Sequence, residues 1–120
     1  MYHCDLMIEC FCLTHFHVYL KFNPKMDCTL EISVDHRYMD AEIMFGQKAL
    51  QLWKQGYKDE ILRALAHELC HIVTSEMADA MKTKGKPETI RATHFEERVT
   101  ETVSRVYYRL YTRWLKERKK

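Results

Sequence analysis

His67-Glu68-Leu69-Cys70-His71 is the stretch on which the reading of this chain turns. Residues four apart share a helical face, so both imidazoles can reach one metal ion. Glu68, roughly 100° round the helix, points toward a water that such an ion would hold. Two ligands and a general base thus fit within five residues. Around them Ile61, Leu62, Leu65, Leu69, Ile72, Val73 and Met77 recur at three- and four-residue intervals, with a mean direction opposite to the two histidines. This predicts one amphipathic helix whose apolar stripe is buried while His67 and His71 face a cleft.

A zinc site built on that pentad needs a third ligand from elsewhere, and a fourth position left open if it is catalytic. The C-terminal third offers His94, Glu96, Glu97 and Glu101. The stretch from Pro87 to Lys119 reads as one long helix: Pro87 and Glu88 suit its first turn, and the basic residues from Arg113 onward suit its negative end. Its apolar stripe is Val99, Val103, Val106, Leu110 and Trp114. With Val99 at zero and about 100° per residue, the stripe centres near 20°, Glu96 falls near 60°, Glu97 near 160° and Glu101 near 200°. Glu97 and Glu101 therefore point away from the stripe together, and Glu96 sits on its flank. Two helices packed side by side would turn His67, His71 and Glu97 toward one ion. The plainer reading of these carboxylates is a solvated face paired with Arg98 and Arg105.

A His-Glu-x-x-His helix followed by a helix bearing Glu-x-x-x-acid resembles the gluzincin metallopeptidases, the minigluzincins being the smallest. The matching residues are Glu97-Arg98-Val99-Thr100-Glu101. The resemblance implies Glu97 as the third zinc ligand and Glu101 as the group that orients a ligand histidine. Two departures stand: Glu101 occupies a place where Asp is commoner, and the 25 residues between His71 and Glu97 are compatible with gluzincins without being diagnostic. The longer metzincin motif, with a Gly two residues after His71 and a further His, is absent.

The upstream half suits a small zincin. Phe16, Val18, Leu20 and Phe22 alternate with His17, Tyr19 and Lys21, the period of a half-buried strand, and Asn23 to Asp27 reads as a turn. Leu30, Ile32 and Val34 continue the alternation, and a third strand is expected from Ala41 to Phe45, ending at Gly46. An edge strand of such a sheet can pair with an extended peptide. The first dozen residues fit a short helix or another strand. Cys10-x-Cys12 with His15 and His17 lacks the spacing of a zinc knuckle, so ordinary buried cysteines are expected there, and Cys70 is expected to be a helix-packing residue.

A chain of 120 residues makes one domain, residues 1–120, large enough to fold without disulfides. Five cysteines, an odd number, and the lack of a charged-then-apolar leader point to a reducing, cytoplasmic setting. No apolar run approaches a membrane span. A net charge of +2 is too small to suggest nucleic acid; the basic segment Lys82 to Pro87 reads as a loop and the basic C-terminus as a helix-end feature.

The sequence thus predicts an α+β zincin-like fold: a small antiparallel or mixed three-stranded sheet, then an active-site helix and a long C-terminal helix. The expected function is a zinc-dependent metallopeptidase, an endopeptidase by preference, acting on a peptide or protein substrate. Zn²⁺ would be held by His67, His71 and Glu97, with Glu68 as general base and Glu101 in support. His94 and Tyr107 are the candidate donors to the oxyanion. The alternative is a zincin-fold peptide-binding or regulatory module whose metal is structural or vestigial, which has no need of Glu68.

Overall fold

The computed structural model describes residues 2–27, 29–81 and 87–118. Chain order is helix α1 (Tyr2–Cys10), strands β1 (His17–Phe22), β2 (Leu30–Asp35) and β3 (Asp40–Phe45), then helices α2 (Gln47–Lys54), α3 (Lys58–Met81) and α4 (Pro87–Arg118). The predicted α+β architecture is what the chain adopts. The basic loop expected between the long helices, residues 82–86, lies outside the described residues.

The open choice for the first dozen residues resolves to a helix, because Cys4, Met7 and Phe11 fall on one face and are buried. It ends in a Schellman motif: Leu13 N–H donates to Ile8 O at 2.8 Å and Cys12 N–H to Glu9 O at 3.2 Å, with Cys12 at φ 60°. Leu13 then folds back onto the core beside Met7. Cys12 is exposed, which corrects the expectation of a buried cysteine there; it serves the backbone turn. Helix α2 was not foreseen. It closes in the same way, Tyr57 N–H reaching Leu52 O at 2.9 Å with Gly56 at φ 96°, so the stop signal stood in the sequence.

The sheet is mixed, in the order β1-β3-β2. β1 pairs parallel to β3, from His17↔Asp40 to Phe22↔Phe45, and β2 pairs antiparallel to it as a hairpin, from Leu30↔Phe45 to Asp35↔Asp40. The Asn23 turn is present, closed by Lys25 N–H on Asn23 Oδ1 at 3.1 Å, but it carries the chain past β3 rather than joining neighbours. Ala41 and Ile43 on the central strand are fully covered, whereas β2 is left as an edge.

Helices α3 and α4 form an antiparallel pair, with contacts running from Thr74 with Thr100 back to Asp59 with Tyr108. The core joins Met7, Phe11, Ile43, Leu65, Ala66, Leu69, Ile72 and Tyr111, and α3 packs on β2 to one side and on α4 to the other. Val73, placed in the apolar stripe by spacing, is half exposed. The larger correction concerns α4. Its buried face is Glu96, Thr100, Ser104, Tyr108 and Tyr111, roughly 90° round the helix from the valine stripe, and Val106 and Leu110 are half exposed. That face is rich in polar atoms, and each finds a partner: Thr100 Oγ1 lies 2.7 Å from Thr74 Oγ1, Ser104 donates to Glu101 O, and Tyr111 Oη lies 2.6 Å from His3 Nδ1.

Candidate metal centre

His67 and His71 stand one turn apart on α3, ring centroids 5.0 Å apart, and α4 covers them. His71 is buried and His67 partly so. Each imidazole is fixed through its Nδ1. His67 Nδ1 lies 2.9 Å from Glu101 Oε2, and His71 Nδ1 lies 2.5 Å from Glu96 Oε2. Facing a carboxylate, Nδ1 carries the proton and donates, which leaves the Nε2 lone pair of each ring free to bind a cation. Glu101 is itself anchored by Arg105 Nε at 3.0 Å. Its carboxyl is held below the usual range; partial burial opposes the shift, while the Arg105 bond and His67 produce it.

Both Nε2 atoms look at Glu97. The distances are 3.5 Å from His67 to Oε2 and 3.4 Å from His71 to Oε1, and one donor atom from each of the three residues lies within 4.8 Å of the others. Nitrogen and oxygen ligands about 2.0–2.1 Å from a tetrahedral zinc are about 3.3 Å from each other, and each imidazole already stands near that spacing from one of the two Glu97 oxygens. Two imidazoles and one carboxylate are also the donor set of an open, reactive site rather than a closed structural one. Glu97 remains more than half exposed, so the fourth side faces solvent. Among the described residues this is the one such grouping; Cys10, Cys12, His15 and His17 form none.

Glu68 faces a cleft of about 390 Å³ between α3 and the edge strand β2, lined by Glu31, Ile32, His67, His71, Ser75 and Glu97 among others. Burial pushes its carboxyl up to about 7; His67 opposes the shift, Glu97 and Glu31 add to it, and a hydrogen bond from the Ile32 backbone lowers it. A cation among the three ligands would act in the same direction as His67.

The sequence-chosen residues His67, His71, Glu97, Glu68 and Glu101 thus come together. Glu96 departs from its expected place on the core's flank: it is buried and holds His71, because the helix face is turned from the valine stripe. His94 is exposed and lines no part of the cleft, and Tyr107 packs on Phe11 with ring centroids 5.0 Å apart, so neither oxyanion candidate is at the site. Ser75 was missed. It lies one turn beyond His71 on the same face, a spacing that could have found it, and its Oγ is 2.8 Å from His36 Nε2. Cys70 is fully buried and its thiol is raised by desolvation to about 12, which keeps it neutral and unreactive.

No protein-family model, no curated protein and no solved structure matches this chain. The likeness to gluzincins rests on the pentad, the Glu97-x-x-x-Glu101 pair and the geometry just described. Among the described residues no helix is long and apolar enough to cross a membrane.

Proposed function

We propose that the protein is a zinc-dependent peptidase that hydrolyses peptide bonds in the cleft between α3 and β2. The observation that carries this reading is the pair of Nε2-to-Glu97 distances, 3.5 and 3.4 Å, with each ring steadied from behind by a separate carboxylate. His67, His71 and Glu97 would hold Zn²⁺, which when bound would acidify a water and polarise the substrate carbonyl. Glu68 accepts the proton of the attacking water and delivers it to the leaving amine. Glu101 and Glu96 keep the two rings in the tautomer that presents Nε2. Apart from Ile32, whose backbone is bonded to Glu68, the edge strand β2 would offer its outward main-chain groups to an extended peptide, which would lie alongside as a further strand.

A peptide-binding module with a structural metal is the competing reading. It leaves unexplained Glu68, a half-buried carboxylate that faces the cleft without belonging to the ligand triangle. The deciding experiment is metal analysis combined with cleavage of a mixed peptide pool by the intact protein and by Glu68→Gln. About one zinc per chain in both proteins, with cleavage only in the first, supports the peptidase. Zinc in both and cleavage in neither supports the binding module.

A further inference from the structure

Glu68 and His67 line a second cleft, on the far side of the site from β2. It has a volume of about 640 Å³ and lies in the groove between α3 and α4, toward the N-terminal end of α3. Three guanidinium groups line it: Arg63 from α3, and Arg105 and Arg109 from α4. The carboxylates lining it are Glu68 and Glu101. Arg63 and Arg105 are oriented through Nε alone, on Asp59 at 2.9 Å and Glu101 at 3.0 Å, and the Arg63 guanidinium lies 5.5 Å over the Tyr108 ring. Binding through Nε leaves the terminal amino groups of a guanidinium available for the fork that grips a carboxylate. Among the described residues Arg109 has no carboxylate partner. Asp59 and Glu101 balance Arg63 and Arg105, and Glu68 stands at the cleft's inner end, so what the cleft offers an incoming anion is the open edges of two held guanidiniums and the whole of Arg109.

Its position relative to the scissile bond follows from helix geometry. Arg63 precedes His67 by one turn, and Arg105 and Arg109 follow Glu101 by one and two turns, so the cations begin about 6 Å from the ligand histidine and extend to about 12 Å. An extended peptide advances about 3.3 Å per residue, which places a matching anion about two to four residues from the bond at Glu68. We infer that the Arg63, Arg105 and Arg109 cleft is a carboxylate-binding subsite, so that acidic peptides are the substrate class. This rests on the peptidase reading above for its catalytic meaning, though not for the binding itself. The carboxylate can belong to an Asp or Glu side chain or to a peptide C-terminus.

The test uses synthetic peptides of otherwise randomised sequence, carrying a single Glu, Gln or Lys scanned along the chain, each made as the free acid and as the amide. Cleavage is followed with the zinc-loaded protein, and binding with zinc-loaded Glu68→Gln by fluorescence anisotropy at low and high salt. The expected result is a preference for Glu over Gln of about tenfold at one register in both readouts, weakened by salt. Arg109→Glu should invert it in favour of Lys, and this exposed position makes no contact whose loss would unfold the helix. A preference for the free acid over the amide whatever the scanned residue would assign the subsite to a chain terminus, and a Glu preference that persists in the amides to a side chain; either outcome supports it. Equal binding of Glu, Gln and Lys peptides, with free acid and amide also alike, overturns the subsite, as does a preference that survives Arg109→Glu. If no peptide is cleaved the peptidase reading fails, while the binding arm still decides the subsite.

Discussion

Glu96 Oε2 sits 2.5 Å from Nδ1 of His71, a contact between a buried acid and a buried ligand candidate. Removal of such a supporting carboxylate typically lowers metal affinity about 10–100-fold. Glu96→Ala is therefore expected to weaken zinc binding on that scale, as is Glu101→Ala at His67, and Glu97→Ala more severely than either. Competition with a chelator of known affinity ranks the three. Unchanged affinity in Glu96→Ala would show that the contact does not orient His71.

His67→Ala and His71→Ala are each expected to abolish stoichiometric zinc, whereas Glu68→Gln should retain it and lose most hydrolysis. Mass spectrometry of the purified chains measures the first, and product formation the second. Zinc at one equivalent in the double histidine variant would remove the pentad as the site.

Tyr108 Oη donates to Asp59 Oδ1 at 2.5 Å, tying the first turn of α3 to α4. The bond holds the Asp59 carboxyl below its usual range, and burial together with Asp59 raises the Tyr108 phenol well above 10. Both shifts favour the folded state over the window in which Asp59 is ionised and Tyr108 neutral. The Asp59 contribution is present above its unfolded pKa of about 3.9 and is lost as pH falls through the lower folded value. That of Tyr108 is present below about 10 and is lost as pH rises through the higher folded value. Tyr108→Phe should cost about 1 kcal/mol near neutrality, discounted because Asp59 is largely exposed. Urea titrations at acid, neutral and alkaline pH should find the gap between the two chains widest at neutrality; a constant gap would contradict the assignment.

Cys12 adopts φ 60° at the end of α1, a region in which a side chain is strained and glycine is not. Cys12→Gly is expected to stabilise the fold by about 0.5–1 kcal/mol, raising Tm by about 3 °C, while Cys12→Ala should bring no such gain. Equal melting temperatures for the two variants would argue against strain at this turn.

The pentad and both long helices were legible in the sequence because spacing on a single helix needs no knowledge of the fold. The strands were also legible from alternation, but their order was not: nothing in Val18-Tyr19-Leu20 says that its neighbour is β3 rather than β2. The face of α4 was misread for a physical reason. Periodicity counts apolar side chains, whereas Thr100, Ser104, Tyr108 and Tyr111 are buried because their oxygens are satisfied across the interface, a property of pairs that no single residue announces. Glu97 and Glu101 nonetheless share one face and both meet the histidines, since their mutual spacing is independent of where the buried face lies. Glu96 could be placed only once that face was known.

The division of the site between α3 and α4 also sets a timetable for synthesis. His67, Glu68 and His71 leave the ribosome 26 positions ahead of Glu97, an interval of about 1–5 s at ordinary elongation rates. During that interval the nascent chain carries two imidazoles and a carboxylate with no third ligand and no helix to shield them. Tyr111, which closes the core against His3 and Phe11, comes later still. On the peptidase reading proposed above, competence to hydrolyse waits for Glu97 and for Tyr111 to close the core, so a nascent or truncated product that stops short of α4 bears the pentad without the means to cut its neighbours.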